Sequence, residues 1–96
     1  MSAASKQKKA YFRKLYLAHL IASERQDQLS LEAATGMPRR TLQDSIKAMA
    51  DIGIVCNFVQ DGPKHRHGYY ELLDWGDHNP DWIAANLDTI SAVLAG

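Results

Sequence analysis

Residues 35–55 read T-G-M-P-R-R-T-L-Q-D-S-I-K-A-M-A-D-I-G-I-V, and this stretch decides the predicted fold. Gly36 suits the end of one helix, and Pro38 suits the first position of the next. The apolar residues that follow recur at spacings of four, three and three, which predicts one buried stripe on a helix. These residues are Leu42, Ile46, Met49 and Ile52. With Gly53 as its end, the helix is predicted over about residues 38–52.

The polar side chains of this helix lie off the stripe, mostly in its first two turns. A DNA-binding helix-turn-helix has this arrangement: a short helix, a tight turn, and a second helix that starts with exposed basic and amide groups. In the major groove, Arg pairs with guanine and Gln with adenine through two hydrogen bonds. The residues that we expect to contact DNA are Arg39, Arg40, Thr41, Gln43 and Lys47.

Two acidic residues near this helix leave a second interpretation open. Glu32 stands four positions before Gly36, where helix-turn-helix proteins usually carry alanine because the two helices touch there. Asp44 lies within the second helix itself. On an ordinary surface helix, these carboxylates would pair with Arg39 or Arg40. At a DNA interface, they would instead orient the two arginines or repel phosphate.

Composition predicts one domain over residues 1–96, since 46% hydrophobic and 23% charged residues are ordinary for a globular chain. The single cysteine excludes an internal disulfide and a cysteine-rich zinc site, and it favours a reducing, cytoplasmic location. The longest apolar run, residues 15–22, is too short to span a bilayer, and we expect no signal peptide. No catalytic triad, phosphate loop or carboxylate pair is recognisable, so neither an enzyme nor a cofactor is expected.

Lysine and arginine are unevenly distributed, although the net charge is zero. All 11 lie within residues 1–68 together with six acidic residues, which gives this part a charge of +5. Residues 69–96 hold the other five acidic residues and no lysine or arginine, a charge of −5. Such a split lets one face of a neutral protein carry a positive potential. We therefore expect nucleic-acid contacts in residues 1–68 and a different role for the remainder.

The predicted order of elements is helix, helix, helix, strand, strand, helix. Residues 1–5 are expected to be disordered. A first helix spans residues 6–24, a polar connector follows, and Ser30 is expected to cap a short helix over residues 31–35. Residues 54–59 alternate between two faces, as in a strand with one half-buried face, and residues 69–73 form a second β-prone run. Together they predict two strands. A last helix over residues 79–95 begins with Asn79 as its cap and Pro80 at its first position.

Between the two strands, Asp61-Gly62-Pro63 predicts a turn and a basic hairpin tip over residues 61–68. We expect Lys64, His65 and Arg66 to contact the DNA backbone or the minor groove, as arginine-bearing arms do. The alternative is a solvated loop tip. His65, His67 and His78 lack the thiolates or paired carboxylates of a typical metal site, so no metal is expected.

Three segments of this chain resemble a small family of proteobacterial winged-helix proteins. They are A-T-G-M-P-R-R-T-L-Q-D-S-I at residues 34–46, D-I-G-I-V at 51–55 and G-Y-Y-E-L-x-D-W-G-D-x-N-x-x-W-I at 68–83. The resemblance covers about residues 10–85. It implies a mainly α winged helix-turn-helix fold with a small β-hairpin, and binding to double-stranded DNA.

The last helix carries its own apolar stripe, and the second half of the first helix is apolar nearly all round. We expect these two helices to form a homodimer, because one small module buries too little DNA surface for specific affinity. Packing of the two helices within one chain is the alternative. We also expect Trp75 and Trp82 to pack the base of the hairpin against the last helix, and Cys56 to be a buried structural thiol rather than a redox switch.

These features favour a small transcriptional regulator. The competing hypothesis is a winged-helix protein–protein interaction module that does not bind DNA, since a fold does not determine a function.

Overall fold

The protein is described by a computed structural model that covers residues 5–63 and 68–95. Its elements are α1 (Lys6–Ser23), α2 (Gln28–Thr35), α3 (Arg39–Ala48), a 3₁₀ turn (Met49–Ile52), β1 (Val55–Gln60), β2 (Gly68–Asp74), α4 (Pro80–Ala85) and α5 (Leu87–Ala95). The predicted order is confirmed, except that the last helix is divided in two. Ser5 is ordered as the cap of α1, and residues 1–4 lie outside the described part of the chain.

Helix α1 forms the centre of the domain because its second half is apolar nearly all round. Its buried residues are Leu15, Leu17, Ala18 and Ile21. Around it pack α3, α4, α5 and strand β2. The contact between α1 and α5 is thus made within one chain, and Ile83 and Ile90 of the C-terminal helices are buried there.

Helix α2 begins three residues earlier than predicted, and its cap is Asp27 rather than Ser30. The Asp27 carboxylate accepts a hydrogen bond from the Ser30 backbone N–H at 2.7 Å, and the Ser30 hydroxyl accepts from the Asp27 N–H at 2.9 Å. This is a capping box, in which Ser30 serves as the third helical residue. Both residue types favour helix starts, so the sequence alone did not distinguish the two positions.

Helix α3 buries a slightly different face from the one predicted. Leu42 and Met49 are fully buried, but Ile46 is only half-buried. The small side chain of Ser45 is buried in its place, at 8% exposure. The stripe therefore runs through residues 42, 45 and 49, which rotates the exposed face relative to the expectation.

Two glycines fix the end of this helical segment. Gly53 ends the 3₁₀ turn with a φ of 83°, a left-handed conformation that glycine adopts without strain. Gly76, which follows β2, lies so close that a Cβ on it would stand 2.6 Å from the Gly53 carbonyl oxygen. The chain after the hairpin is thereby held against the end of the α3 segment.

The hairpin pairs β1 and β2 antiparallel, with Val59 opposite Tyr69 and Gln60 opposite Gly68. Only its base reaches the core, through Cys56, Tyr70 and other residues near the helices. Phe58 was expected on the half-buried face with Cys56, but it is 41% exposed. This expectation was wrong because Tyr70, the residue paired with Phe58, packs against the core, and the Phe58 ring lies on Tyr70 with 5.3 Å between the ring centres.

The polar connector between α1 and α2 has a structural role that the sequence did not reveal. The Tyr70 N–H donates to the Gln26 carbonyl oxygen at 2.8 Å, which adds a one-residue third strand beside β2. The Gln26 side chain is buried at 3% exposure and accepts from the Ser30 hydroxyl at 2.7 Å. The hairpin is thus joined to the start of α2.

The predicted helix over residues 79–95 is interrupted at Asn86. Its side-chain amide donates to the Trp82 carbonyl at 2.7 Å, while its backbone N–H turns to the Ile83 carbonyl at 3.2 Å. The side chain takes the acceptor that a continuous helix would give to the backbone. Trp75 packs against the core as predicted, whereas Trp82 is 48% exposed, so its expected burial was wrong.

Candidate nucleic-acid interface

The turn between α2 and α3 holds α3 at a fixed angle to the domain. Gly36 ends α2 with a φ of 71°, as predicted. The Thr35 hydroxyl donates to the Leu31 carbonyl at 2.7 Å and accepts from the Met37 N–H at 3.1 Å. The Thr35 side chain thus links the last turn of α2 to the segment that leads into α3.

The structure brings the predicted residues of α3 together on one solvent-facing surface. Those that are exposed are Arg39, Arg40, Gln43 and Lys47, and Thr41 is half-buried beside them. The opposite side of the helix is buried through Leu42, Ser45 and Met49. The exposed surface therefore offers three cations and an amide to a partner, while Thr41 lies closer to the buried side.

The N-terminus of α3 is open to an anion. Pro38 stands at the cap position and makes no side-chain hydrogen bond to the helix. The first backbone N–H that bonds within the helix is that of Leu42, to the Pro38 carbonyl at 3.0 Å. The N–H groups of residues 39–41 thus have no capping side chain, and they lie at the positive end of the helix dipole. Such an end is suited to a phosphate oxygen.

The two acidic residues have different surroundings. Asp44 lies 3.9 Å from the Arg40 Nε, but the two side chains are 74% and 93% exposed, so the pair contributes little energy. Glu32 is half-buried and makes no ion pair within the described residues. Neither carboxylate therefore holds Arg39 or Arg40 firmly against the surface.

Tyr70 of β2 lies beside the start of α3. Burial raises the pKa of its hydroxyl, the charge of Cys56 raises it further, and the charge of Arg39 lowers it. The hydroxyl donates to the Gln28 side-chain oxygen at 3.3 Å, and the Gln28 amide nitrogen is buried without a hydrogen-bond partner in the described chain. The hairpin and α2 thus meet at this tyrosine.

The predicted contacts at the hairpin tip, Lys64, His65 and Arg66, lie outside the described residues, as does His67. At the described end of the hairpin, Arg25 donates to Asp61 at 3.0 Å and lies 3.7 Å above the Tyr69 ring. Sequence reasoning missed this contact because residues 36 positions apart give no periodic signal.

Among the described residues, the remaining reactive side chains do not form a chemical site. Burial raises the pKa of the Cys56 thiol to about 11, so the reactive thiolate is scarce at neutral pH. His78 lies 3.1 Å from the Trp75 carbonyl oxygen. Within residues 5–63 and 68–95, no cluster of metal-binding side chains was found. In the same ranges, every helix is too short or too polar to cross a membrane.

Comparisons with known proteins agree with this architecture. The model of a family described as winged helix-turn helix matches residues 6–94. The chain is also similar to the crystal structure, at 2.50 Å resolution, of a DUF2131 family protein from Shewanella amazonensis SB2B. The two are 51% identical and superpose with a TM-score of 0.89, and the match covers 96% of this chain and 95% of that one. A search of curated proteins found no match.

Proposed function

We propose, from the premise that this chain belongs to the winged helix-turn-helix family, that it binds double-stranded DNA as a small cytoplasmic transcriptional regulator. The observation that carries the proposal is the start of α3, where exposed arginines surround backbone N–H groups that have no cap. The family also favours a binding domain over an enzyme.

Each polar residue of α3 has a role in this proposal. Arg39 and Arg40 enter the major groove, where the guanidinium group matches guanine, and Gln43 matches adenine. Thr41 and the adjacent N–H groups hold a phosphate, which fixes the register of the helix on the duplex. Lys47, one turn further along, reaches the phosphate backbone.

The hairpin tip extends the contact. Its basic residues Lys64, His65 and Arg66 would follow the backbone or enter the neighbouring minor groove. This part of the proposal rests on their charge and on the short loop between Gln60 and Gly68, which are the last paired residues of the hairpin.

We also propose that the protein acts as a homodimer. Since α1 already packs against α5 within one chain, the paired surface must use the other sides of the first helix and of the C-terminal helices. An aromatic patch lies there, with Tyr11 36% and Trp82 48% exposed. The positive Lys8 and the negative Asp81 flank this patch in sequence and are exposed. In a two-fold arrangement, each would face its opposite on the partner.

The DNA-binding proposal is tested by selecting bound fragments from random duplexes and measuring affinity against salt. If Lys47, Lys64 and Arg66 each neutralise one phosphate, log K should fall with log salt at a slope of about −2.7 for each protomer. The proposal would be contradicted if binding did not depend on salt, or if no duplex bound at low ionic strength.

The dimer is tested by sedimentation equilibrium of the wild type and of Trp82→Glu. We expect a concentration-dependent dimer that the substitution converts to a monomer. Leu29→Glu is the matched control, because Leu29 is 76% exposed on α2, away from the aromatic patch. A wild-type monomer at all concentrations, or equal effects of both substitutions, would contradict this arrangement.

A protein–protein interaction module is the second candidate. The exposed Trp82 and the acidic residues 69–96 favour it, since aromatic residues are enriched in protein interfaces. The two functions are separated by replacing Arg39 and Arg40 with alanine. A scaffold would keep its protein partner in this variant, whereas a DNA-binding protein would lose affinity for the duplex.

A further inference from the structure

One side chain, Arg25, holds both strands of the hairpin at their outer end. Its Nη2 donates to the Asp61 carboxylate at 3.0 Å, and Asp61 directly follows β1. Its guanidinium carbon lies 3.7 Å from the centre of the Tyr69 ring, and Tyr69 is the second residue of β2. A planar, charged guanidinium makes both contacts at once, which an ammonium group does less well.

The contacts of Arg25 lie further out on the hairpin than the other bonds between the hairpin and the connector. The Gln26–Tyr70 backbone bond joins the connector to β2 at one point, and the Tyr70–Gln28 side-chain bond lies on the α2 side of it. Both involve Tyr70 of β2, whereas β1 packs against the core near its start, through Cys56. Arg25 supplies the one described attachment of the connector to β1, and it does so at the end of the last strand pair.

The energy of these contacts is too small to determine the fold. The Arg25 and Asp61 side chains are 62% and 65% exposed, and exposed ion pairs contribute little to global stability. Stacking of an exposed cation on an aromatic ring is similarly weak. A contact that leaves the fold unchanged can still select one orientation of the outer end of the hairpin, because the attachments through Cys56 and Tyr70 lie further in along the strands.

We propose that Arg25 is a positioning residue that fixes the outer end of the hairpin relative to α2 and α3. The proposal rests on the DNA-binding function above, because it is the duplex that requires both elements at a defined separation. Arg25 acts through Asp61 and Tyr69 and does not itself read DNA.

The sharpest test is Asp61→Asn, because two explanations predict opposite signs. Removing an acid from a DNA-binding protein should tighten binding by simple electrostatics. Loss of the Arg25 contact should instead weaken binding by about threefold to fivefold, the range of one exposed ion pair. Arg25→Met should weaken binding by about tenfold, since it loses both the ion pair and the stacking.

Tyr69 supplies a matched pair of variants. Tyr69→Phe keeps the ring under the guanidinium and should bind DNA like the wild type. Tyr69→Leu loses the ring, and its DNA affinity should be about threefold lower. Thermal unfolding should be nearly the same in all four variants. If Asp61→Asn binds DNA as tightly as the wild type or more tightly, the proposal is overturned.

A readout without DNA separates this proposal from the function on which it rests. Amide order parameters from ¹⁵N relaxation should fall at Asp61 and Gly68 in Arg25→Met and stay unchanged at Asn57 and Phe58. If the wild type binds no duplex, the DNA function fails while this measurement still decides the role of Arg25. Unchanged order parameters at Asp61 and Gly68 would overturn the positioning role.

Discussion

Helices α3 and α4 begin in opposite ways. At α4, the Asn79 side chain accepts from the N–H groups of Asp81 and Trp82 at 2.9 and 3.3 Å, and Pro80 has no N–H to satisfy. The acid Asp81 also lies in the first turn, where the helix dipole favours a negative charge.

At α3, each of these features is reversed. The capping residue is Pro38, which makes no side-chain hydrogen bond, and the first two helical residues are arginines. Positive side chains at the positive end of a helix are unfavourable. The start of α4 follows the usual preferences for capping and charge, and the start of α3 does not. Departures of this kind are expected at functional sites. The start of α4 is built for stability, and we interpret the start of α3 as built for an anionic partner.

The largest effect should come from the double substitution Arg39→Ala/Arg40→Ala. We expect DNA affinity to fall about 100-fold, because two base or phosphate contacts of the kind arginine makes are lost. Thermal stability should stay the same or rise by a few degrees, since two cations leave the positive end of the helix. Fluorescence anisotropy and calorimetry measure the two quantities.

The control for that pair is Lys6→Ala/Lys14→Ala, which removes two cations from α1. An equal loss of affinity in the control would show that binding depends on total charge rather than on the start of α3.

Cys56 reports whether such variants keep the packing behind α3. Burial raises its pKa from 9.0 to about 11, so the folded state favours the protonated thiol. Alkylation by iodoacetamide at pH 8 should then be about 100-fold slower than in the urea-unfolded chain, and should accelerate about tenfold per pH unit up to pH 11. Equal rates in folded and unfolded protein would contradict the burial.

The same shift affects stability in alkaline solution. The pKa of the Cys56 thiol is higher in the folded state than in the unfolded state, so deprotonation destabilises the fold. The stabilisation that the protonated thiol provides is therefore complete below pH 9 and is lost as the pH rises to about 11. The loss should be about 1 to 2 kcal/mol once partial solvent screening is allowed for. Chemical denaturation of the wild type and Cys56→Ala at pH 8 and 11 measures it.

A capping side chain added to α3 should make its start resemble that of α4. Pro38→Asp supplies a carboxylate to the free N–H groups, so it should be about 1 kcal/mol more stable than Pro38→Ala, which controls for loss of the proline ring. The same carboxylate would occupy the phosphate position, and DNA binding should weaken about tenfold. A gain in stability without any loss of affinity would separate the cap from the interface.

Removing the cap of α4 should have the smallest effect and no functional consequence. Asn79→Ala should cost about 1 kcal/mol, or about 4 to 8 °C in Tm. DNA affinity at a protomer concentration that keeps the dimer should not change. A large loss of affinity would mean that the two helix ends are coupled.

Part of this contrast was predictable from the sequence, because glycine and asparagine carry strong local signals, but Pro38 was predicted at the first helical position and is instead the cap of α3. Gly36 and Gly53 were correctly predicted to end helices, and Asn79 to cap α4. The periodic apolar residues correctly predicted α3 as a core element, and the apolar second half of the first helix correctly predicted that α1 is buried.

The errors came from contacts that no local pattern encodes. The Gln26–Tyr70 bridge and the Arg25–Asp61 pair join residues far apart in the chain. The break at Asn86 depends on a side chain competing with its own backbone. The burial of Ser45 in place of Ile46 depends on the neighbours of α3 rather than on its composition. Local propensity left these positions undetermined, and tertiary packing decided them.

The central claim is that the uncapped start of α3 receives a DNA phosphate, and backbone amide shifts test it directly. Titration of ¹⁵N-labelled protein with a random-sequence duplex at low salt should move the amide protons of Arg39, Arg40 and Thr41 downfield. The capped amides of Asp81 and Trp82 should stay in place. Shifts that appear on α1 or α4 and leave residues 39–41 unchanged would contradict the account.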